Sequence, residues 1–182
     1  MIRRLLRLAL IGAVAGWLLD RRLADRARRA GEARPPAIVS RVEIDAPIER
    51  VWEIVADVER QPTWMTDLRS VRLDPPGEVR VGARATGVVT ILGMSVADPV
   101  TIIELEPPVR FAIRHDGTFR GDGVISLTAG RHGHPTQVAW HETLIAPVLP
   151  WAWAFAARPV LGRVFAADLA RLRVLAEATA AG

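Results

Sequence analysis

The sequence predicts an α+β domain in which one antiparallel sheet is followed by a long helix at the C-terminal end. Three observations lead to this fold class. Residues 37–46 alternate apolar and polar side chains and run into a short helical pattern at Pro47. About six strand-like runs then follow with no helix between them, which indicates an antiparallel meander. From Leu161 onward, apolar residues recur at helical spacing as far as Ala176.

The amino-acid composition excludes several classes of protein. The chain has 182 residues, half of them hydrophobic, so we expect one domain with a substantial core rather than a disordered chain. It has no cysteine, which excludes disulfides and cysteine-ligated metal sites. All 24 basic residues are arginine, but they are scattered among 20 acidic residues and the net charge is only +4. Nucleic-acid binders concentrate their basic residues, so no nucleic-acid partner is expected.

Residues 1–30 differ from the rest and predict a separate hydrophobic helix. No charge interrupts the run Leu8–Leu19, and arginines flank it on both sides. The run gives about 18 Å of helix, whereas the hydrocarbon core of a bilayer is about 30 Å thick. It is therefore a marginal span and a good interfacial helix. We expect a membrane tether, spanning or half-inserted, whose lipid-facing residues are Leu8, Leu10, Ile11, Val14, Trp17, Leu18 and Leu19.

Two other interpretations of this helix stay open at the level of sequence. It could be a cleaved secretory signal, although its one A-x-A motif, at residues 13–15, lies inside the apolar run. It could also dock on another protein. Arginines are more numerous after the run than before it, which favours a domain on the cytoplasmic side of the membrane. The two prolines Pro35 and Pro36 mark residues 31–36 as a linker, and residues 37–182 form the domain.

The domain is expected to begin with a strand and two short helices. In the strand, Val39, Val42 and Ile44 are predicted to face the core. Trp64 and Met65 follow the second helix, at the point where the chain returns to the sheet. The first helix has one apolar face at i, i+3, i+4, i+7 spacing, formed by Ile48, Val51, Trp52 and Val55.

Turn residues divide the middle of the chain into strands. The dipeptides Leu92-Gly93 and Asp116-Gly117 predict hairpins. Pro150 and Pro159 leave open whether the segment PWAWAFAARP belongs to the final helix or precedes it. Alternation places two sets of side chains on shared strand faces: Val109, Phe111 and Ile113 in one strand, and Val138, Trp140, Glu142 and Leu144 in the last strand.

This order of elements resembles the SRPBCC superfamily, which includes START-like lipid-transfer domains and polyketide cyclase/dehydrase proteins. The resemblance covers residues 37–178 and rests on VEIDAPIERVWEIVADVERQPTWM, VRVGAR, IIELEPPVRFAIR and RPVLGRVFAADLARLRVLAE. It implies a helix-grip fold, in which a curved sheet wraps around the C-terminal helix and encloses a cavity. Members bind hydrophobic ligands such as lipids, sterols, isoprenoids or polyketides. The superfamily shares no universal catalytic residue, so none is carried over.

Candidate site residues follow from these faces. Glu142 is the one weak catalytic candidate, because a buried carboxylate has a raised pKa and can transfer protons; a twist near the strand end would instead leave it in solvent. His115 and His141 are expected at the surface, and Asp98 is expected at a bulge or sheet edge. No cofactor is expected. The predicted ligand-binding residues are Trp52, Val55, Trp64, Met65, Phe111, Ile113, Trp140, Glu142 and Phe165.

The pair His132 and His134 has the spacing of two metal ligands, but it lies in a polar loop without a carboxylate, so we expect no metal site. The preferred hypothesis is a membrane-tethered protein that binds or transports a hydrophobic small molecule in an internal cavity. Two alternatives remain. One is a polyketide cyclase or aromatase that uses Glu142. The other is an interaction module that docks on a membrane or a partner through an exposed patch of Trp151, Trp153 and Phe155.

Overall fold

The computed structural model of the chain describes residues 2–91, 94–131 and 135–178. The Leu92-Gly93 dipeptide and the His132/His134 pair lie outside these ranges. The helices are α1 (Ile2–Arg29), α2 (Ile48–Ala56), a short 3₁₀ helix (Val58–Thr63) and α3 (Pro150–Ala178). The strands are β1 (Ile38–Ile44), β2 (Leu68–Leu73), β3 (Arg84–Ile91), β4 (Met94–Glu106), β5 (Arg110–His115), β6 (Gly121–Ala129) and β7 (Thr136–Glu142).

The seven strands form one curved, open antiparallel sheet in the order β1-β7-β6-β5-β4-β3-β2. Six strands follow one another as a meander, as predicted, and β1 completes the sheet by pairing with β7. Register shifts between Leu68 and Ser70 and between Ile102 and Glu104 disturb the ladders at two places. Such irregularities bend and twist a strand, which suits a sheet that curves around a helix.

One detail of β1 differs from the prediction, because Val39 is exposed to solvent. The side chains of a strand alternate between faces. Ile44 is fully buried, so residues 42, 40 and 38 share its face and residue 39 lies on the other. Ser40 and Ile38 therefore take the inward positions below Val42 and Ile44.

The C-terminal helix is a single element from Pro150 to Ala178 that continues through Pro159. Its second half packs into the filled part of the core, where Leu169, Leu172 and Ala176 have no exposed surface. α2 buries Ile48, Val51 and Val55, three of the four residues of its predicted face, in this same core. The arrangement is the expected helix-grip fold.

The first turns of α3 correct the predicted exposed patch. Trp151 is buried and packs against Ala24 and Ala27 of α1. The ring of Trp153 contacts that of Phe119, with centroids 5.4 Å apart. Only Phe155 of the three predicted patch residues is largely exposed, because α1 and the segment after β5 cover the other two.

The second half of α1 is docked on the start of α3. Asp20 Oδ1 accepts hydrogen bonds from the backbone N–H groups of Trp151 at 2.8 Å and Ala152 at 2.9 Å. These N–H groups have no partner within a helix, so a carboxylate there caps α3. The N-terminal half of α1 projects beyond this contact. Its seven predicted lipid-facing residues, between Leu8 and Leu19, are each 44–66% exposed.

The length and hydropathy of the helices bear on the predicted tether. Among the described residues, no helix is both long enough and apolar enough to cross a bilayer. The spanning form of the tether therefore has no support in the structure.

Candidate functional site

A cavity of about 420 Å³ lies between the sheet and the first half of α3. Its walls come from the segment after the 3₁₀ helix, from β2, β3, β4, β5 and β7, from the segment after β5, and from α3 between Trp153 and Phe165. Four lining residues are also exposed to solvent: Ala97, Thr118, Ala156 and Val160. They place the mouth of the cavity between β4, the segment after β5 and the N-terminal half of α3.

Three aromatic rings separate this cavity from the filled core. The rings of Trp140 and Phe165 are stacked with centroids 4.5 Å apart, and both line the cavity. Trp64 meets Trp140 edge-on, with centroids 6.0 Å apart, but has no exposed surface and does not line the cavity. Edge-to-face and offset contacts of this kind are the favoured geometries of aromatic pairs. The rings form a wall that fixes where the hollow ends.

A chain of hydrogen-bonded polar side chains forms one side of the otherwise apolar cavity. His115 Nδ1 donates to Asp98 Oδ2 at 2.8 Å, and His115 Nε2 donates to Glu142 Oε1 at 2.7 Å. The second oxygen of Glu142, Oε2, accepts from Trp140 Nε1 at 2.8 Å. Asp98, His115, Glu142 and Trp140 all line the cavity.

The chain forms because β6 carries glycine where a side chain would intervene. His115 on β5 pairs with Gly121, and Glu142 on β7 pairs with Gly123. A Cβ atom at residue 123 would lie 2.6 Å from Glu142 Oε2, so a side chain there would displace the carboxylate from its position in the polar chain. The gap in β6 therefore lets the imidazole and the carboxylate meet across an intervening strand.

Electrostatics hold His115 in its protonated form. Burial alone would lower its pKa, but the hydrogen bonds and negative charges of Asp98 and Glu142 outweigh burial and raise the pKa of His115 to about 10. A further carboxyl lines the same cavity. Burial raises the pKa of Asp67 to about 6, and the negative charges of Asp168 and Glu142 act in the same direction.

Asp168 links α3 to the segment that leads into the cavity wall. Its Oδ1 accepts from the backbone N–H of Thr66 at 2.9 Å and from the Thr66 hydroxyl at 2.8 Å. Asp168 is fully buried, and burial raises the pKa of its carboxyl despite these bonds. The link orients Met65 and Asp67, which both line the cavity.

The structure brings together five of the nine predicted ligand-binding residues: Met65, Ile113, Trp140, Glu142 and Phe165 line the cavity. The other four lie elsewhere. Trp52 is half-buried on α2, and Val55, Trp64 and Phe111 belong to the filled core. The reason is that α2 and the second half of α3 close on each other and leave no space between them. Whether the five cavity residues contact a ligand stays a prediction.

The structure overturns one expectation about polar residues, because His115 is buried rather than at the surface. Glu142 is also buried, on the inward face that strand alternation predicted. Asp98 pairs with Gly87 of β3 in a regular part of that ladder, and β5 pairs with β4 only from Val100 onward, so Asp98 lies at a local edge of β4 and not at a bulge. Strand alternation carried a signal for both missed residues. His115 is in phase with Phe111 and Ile113, and Asp98 is in phase with Val100.

Comparison with known proteins identifies the family. A family model described as polyketide cyclase/dehydrase and lipid transport matches residues 35–177. The chain therefore belongs to this family, within the SRPBCC/START-like superfamily. α1 precedes the matched region. No curated protein matches the chain.

Solved structures share the fold. A START superfamily protein from Mycobacterium smegmatis aligns with a TM-score of 0.59 at 17% identity, covering 79% of this chain and 99% of its own. A protein of Thermus thermophilus gives 0.63 at 17% identity with coverage of 79% and 99%. A protein of Deinococcus radiodurans gives 0.59 at 22% identity with coverage of 79% and 98%. At these sequence identities the similarity supports a shared fold and nothing further.

The buried imidazolium predicts a loss of stability at alkaline pH. The pKa of His115 is about 10 in the folded state against 6.5 for an unperturbed histidine. Its stabilising contribution is therefore complete below pH 6.5 and is lost as the pH rises through 10. We expect the free energy of unfolding to fall across this window by up to about 1.4 kcal/mol per pH unit. Denaturant unfolding at a series of pH values measures this slope.

The matched variants for this measurement are His115→Gln and His141→Gln. His141 lies on the opposite face of β7 from Glu142, so His141→Gln should keep the slope. His115→Gln should lose the slope and be less stable near neutrality, because Asp98 and Glu142 then lack the cation between them. An unchanged slope in His115→Gln would show that another group causes it. Asp67, with a pKa of about 6, titrates at the lower end of this window, so the variants are compared in its upper part.

Proposed function

We propose that this protein binds or transports a hydrophobic small molecule, such as a lipid, an isoprenoid or a polyketide-like compound, in the cavity beside α3. The observation that carries the proposal is a cavity of about 420 Å³ lined mainly by apolar side chains in a protein of this family. Small-molecule sites typically have volumes of about 300–1,000 Å³ and few polar groups. Burial of apolar ligand surface contributes about 25 cal/mol per Å², so few polar contacts are needed for affinity.

Filling the cavity tests this proposal. Ile113 lines the cavity on β5, so Ile113→Trp should place an indole in the space that the ligand would occupy. We expect the variant to bind an apolar fluorescent probe at least about tenfold more weakly than the wild type, since a steric block removes most of the buried ligand area. Fluorescence titration measures the affinity. Mass spectrometry of organic extracts should find a co-purifying apolar compound with the wild type and less of it with the variant.

The control is the same substitution at Ile103, an exposed residue of β4. Ile103→Trp should bind the probe as the wild type does. Equal binding by the wild type and both variants would mean that the probe does not enter the cavity, and the proposed function would then fail.

We propose further that α1 holds the protein at a membrane surface. Leu8, Leu10, Ile11, Val14, Trp17, Leu18 and Leu19 form an uncovered apolar stretch, which is larger than isolated surface hydrophobics. Arginines flank this stretch, and arginine is attracted to anionic lipid head groups. The cytoplasmic leaflet carries such lipids, so we place the domain on the cytoplasmic side. α1 is docked on the helix that borders the cavity mouth, so this position would hold the mouth close to a source of apolar ligand.

Acidic substitutions on α1 test the membrane contact. Leu10 and Val14 lie one helical turn apart in the exposed stretch, so Leu10→Asp combined with Val14→Asp should lower binding to anionic phospholipid vesicles at least about tenfold. Vesicle co-sedimentation measures the bound fraction. The control combines Val81→Asp with Val174→Asp, which are equally exposed apolar positions on the domain. Identical sedimentation of the two double variants would argue against a membrane role for α1.

A cyclase-type enzyme is a second candidate, favoured by the imidazolium held between two carboxylates inside the cavity. Such groups can transfer protons to a bound substrate. However, both His115 nitrogens and both Glu142 oxygens are already engaged with protein partners. The mass of the compound after incubation with the protein distinguishes the two candidates. A carrier releases the compound with its mass unchanged, whereas a dehydrating cyclase releases a product that is lighter by one water molecule.

A further inference from the structure

The charged side chains of the cavity are predominantly acidic. Asp67, Asp98 and Glu142 line it, and His115 is the one basic side chain among the described residues that do so. Although the chain contains 24 arginines, none of the described lining residues is an arginine. A cavity that received a carboxylate or phosphate head group would be expected to offer an arginine, which binds both ions with paired hydrogen bonds.

The single basic group is already neutralised by the protein. His115 uses both ring N–H groups on Asp98 and Glu142, so no N–H remains to donate to a ligand. The imidazolium offsets one of these two carboxylates, which leaves a negative charge on the chain. Asp67 adds an acidic group to the same cavity, and the negative charge of Glu142 contributes to its raised pKa.

An anionic head group in this cavity would lose its hydration and meet like charges, and both effects are unfavourable. A cationic head group would also lose hydration, but it would gain charge-assisted hydrogen bonds to carboxylate oxygens. Trp140, Phe165 and Val164 line the same cavity as the acidic groups. Aromatic faces also attract cations. This part of the cavity therefore suits a ligand that has a positively charged head group and an apolar body.

We propose that the cavity selects an amphiphile whose polar end is a protonated amine, seated between Asp67 and Glu142 with its apolar body along the α3 side of the cavity. This inference rests on the proposed function, since it names the class of molecule that the same cavity takes. Lipids that end in a free carboxylate or phosphate are excluded from the site by the same charges.

Three probes of matched chain length test the selectivity: decylamine, decanol and decanoate. Each is titrated into the full-length protein near neutral pH, below its aggregation concentration, with calorimetry or tryptophan fluorescence as the readout. We expect decylamine to bind about tenfold more tightly than decanol, because a charge-assisted bond replaces a neutral one. Decanoate should bind at least about tenfold more weakly than decanol.

Variants of the acidic residues identify which carboxylate confers the selectivity for an amine. Asp67→Asn should reduce the decylamine-to-decanol ratio to near one, because it removes a negative charge from the cavity without touching the hydrogen-bonded chain of His115. Glu78→Gln, which neutralises an exposed carboxylate away from the cavity, is the matched control and should keep the wild-type ratio. Glu142→Gln is a second variant that should also lower the ratio, with thermal unfolding confirming that it stays folded.

The outcomes separate this inference from the proposed function. If decanol binds but decylamine shows no advantage, or if decanoate binds best, the amine selectivity is wrong and the cavity still binds apolar ligands. If decylamine binds Ile113→Trp as well as it binds the wild type, the amine lies on the surface and the inference is also wrong. If none of the three probes binds and the apolar fluorescent probe fails as well, the proposed function itself is wrong.

Discussion

The contacts of one indole, that of Trp140, join the packed core of this domain to its cavity. Its ring stacks on Phe165 of α3 and receives the edge of Trp64, so it fixes the height of α3 above the sheet. Its Nε1 donates to Glu142, and that carboxylate in turn holds His115. Interiors pack densely and transmit small displacements. A shift of α3 across the sheet would therefore change the aromatic wall and the polar chain together.

The polar chain is difficult to explain by stability alone. Replacing a buried ionic group by apolar residues of similar volume is often neutral or stabilising, because charges lose their hydration when they are buried. Here an imidazolium and two carboxylates occupy one wall of a cavity that is otherwise apolar. The ligand that we propose for this cavity would give the chain a role in addition to its structural one.

The N-terminal helix is tied to this site through a helix cap. Asp20 accepts the first free N–H groups of α3, and Trp151 packs between the two helices. The next turns of α3 form the rim of the cavity. The position of α1 and the position of the rim are therefore mechanically linked, although α1 lies outside the region that matches the family model.

The order of elements, the six-strand meander and the terminal helix were predictable from the sequence, because periodicities of 2 and 3.6 residues are local properties of the chain. The sequence also resembles the SRPBCC superfamily in its motifs. It also placed Trp140 and Glu142 on one inward face. The tertiary structure sets which inward residues border the cavity and which fill the core, because that boundary depends on the course of α3 over the bent sheet. It alone joined Asp98, His115 and Glu142, because residues distant in sequence meet only where the glycines of β6 leave a gap.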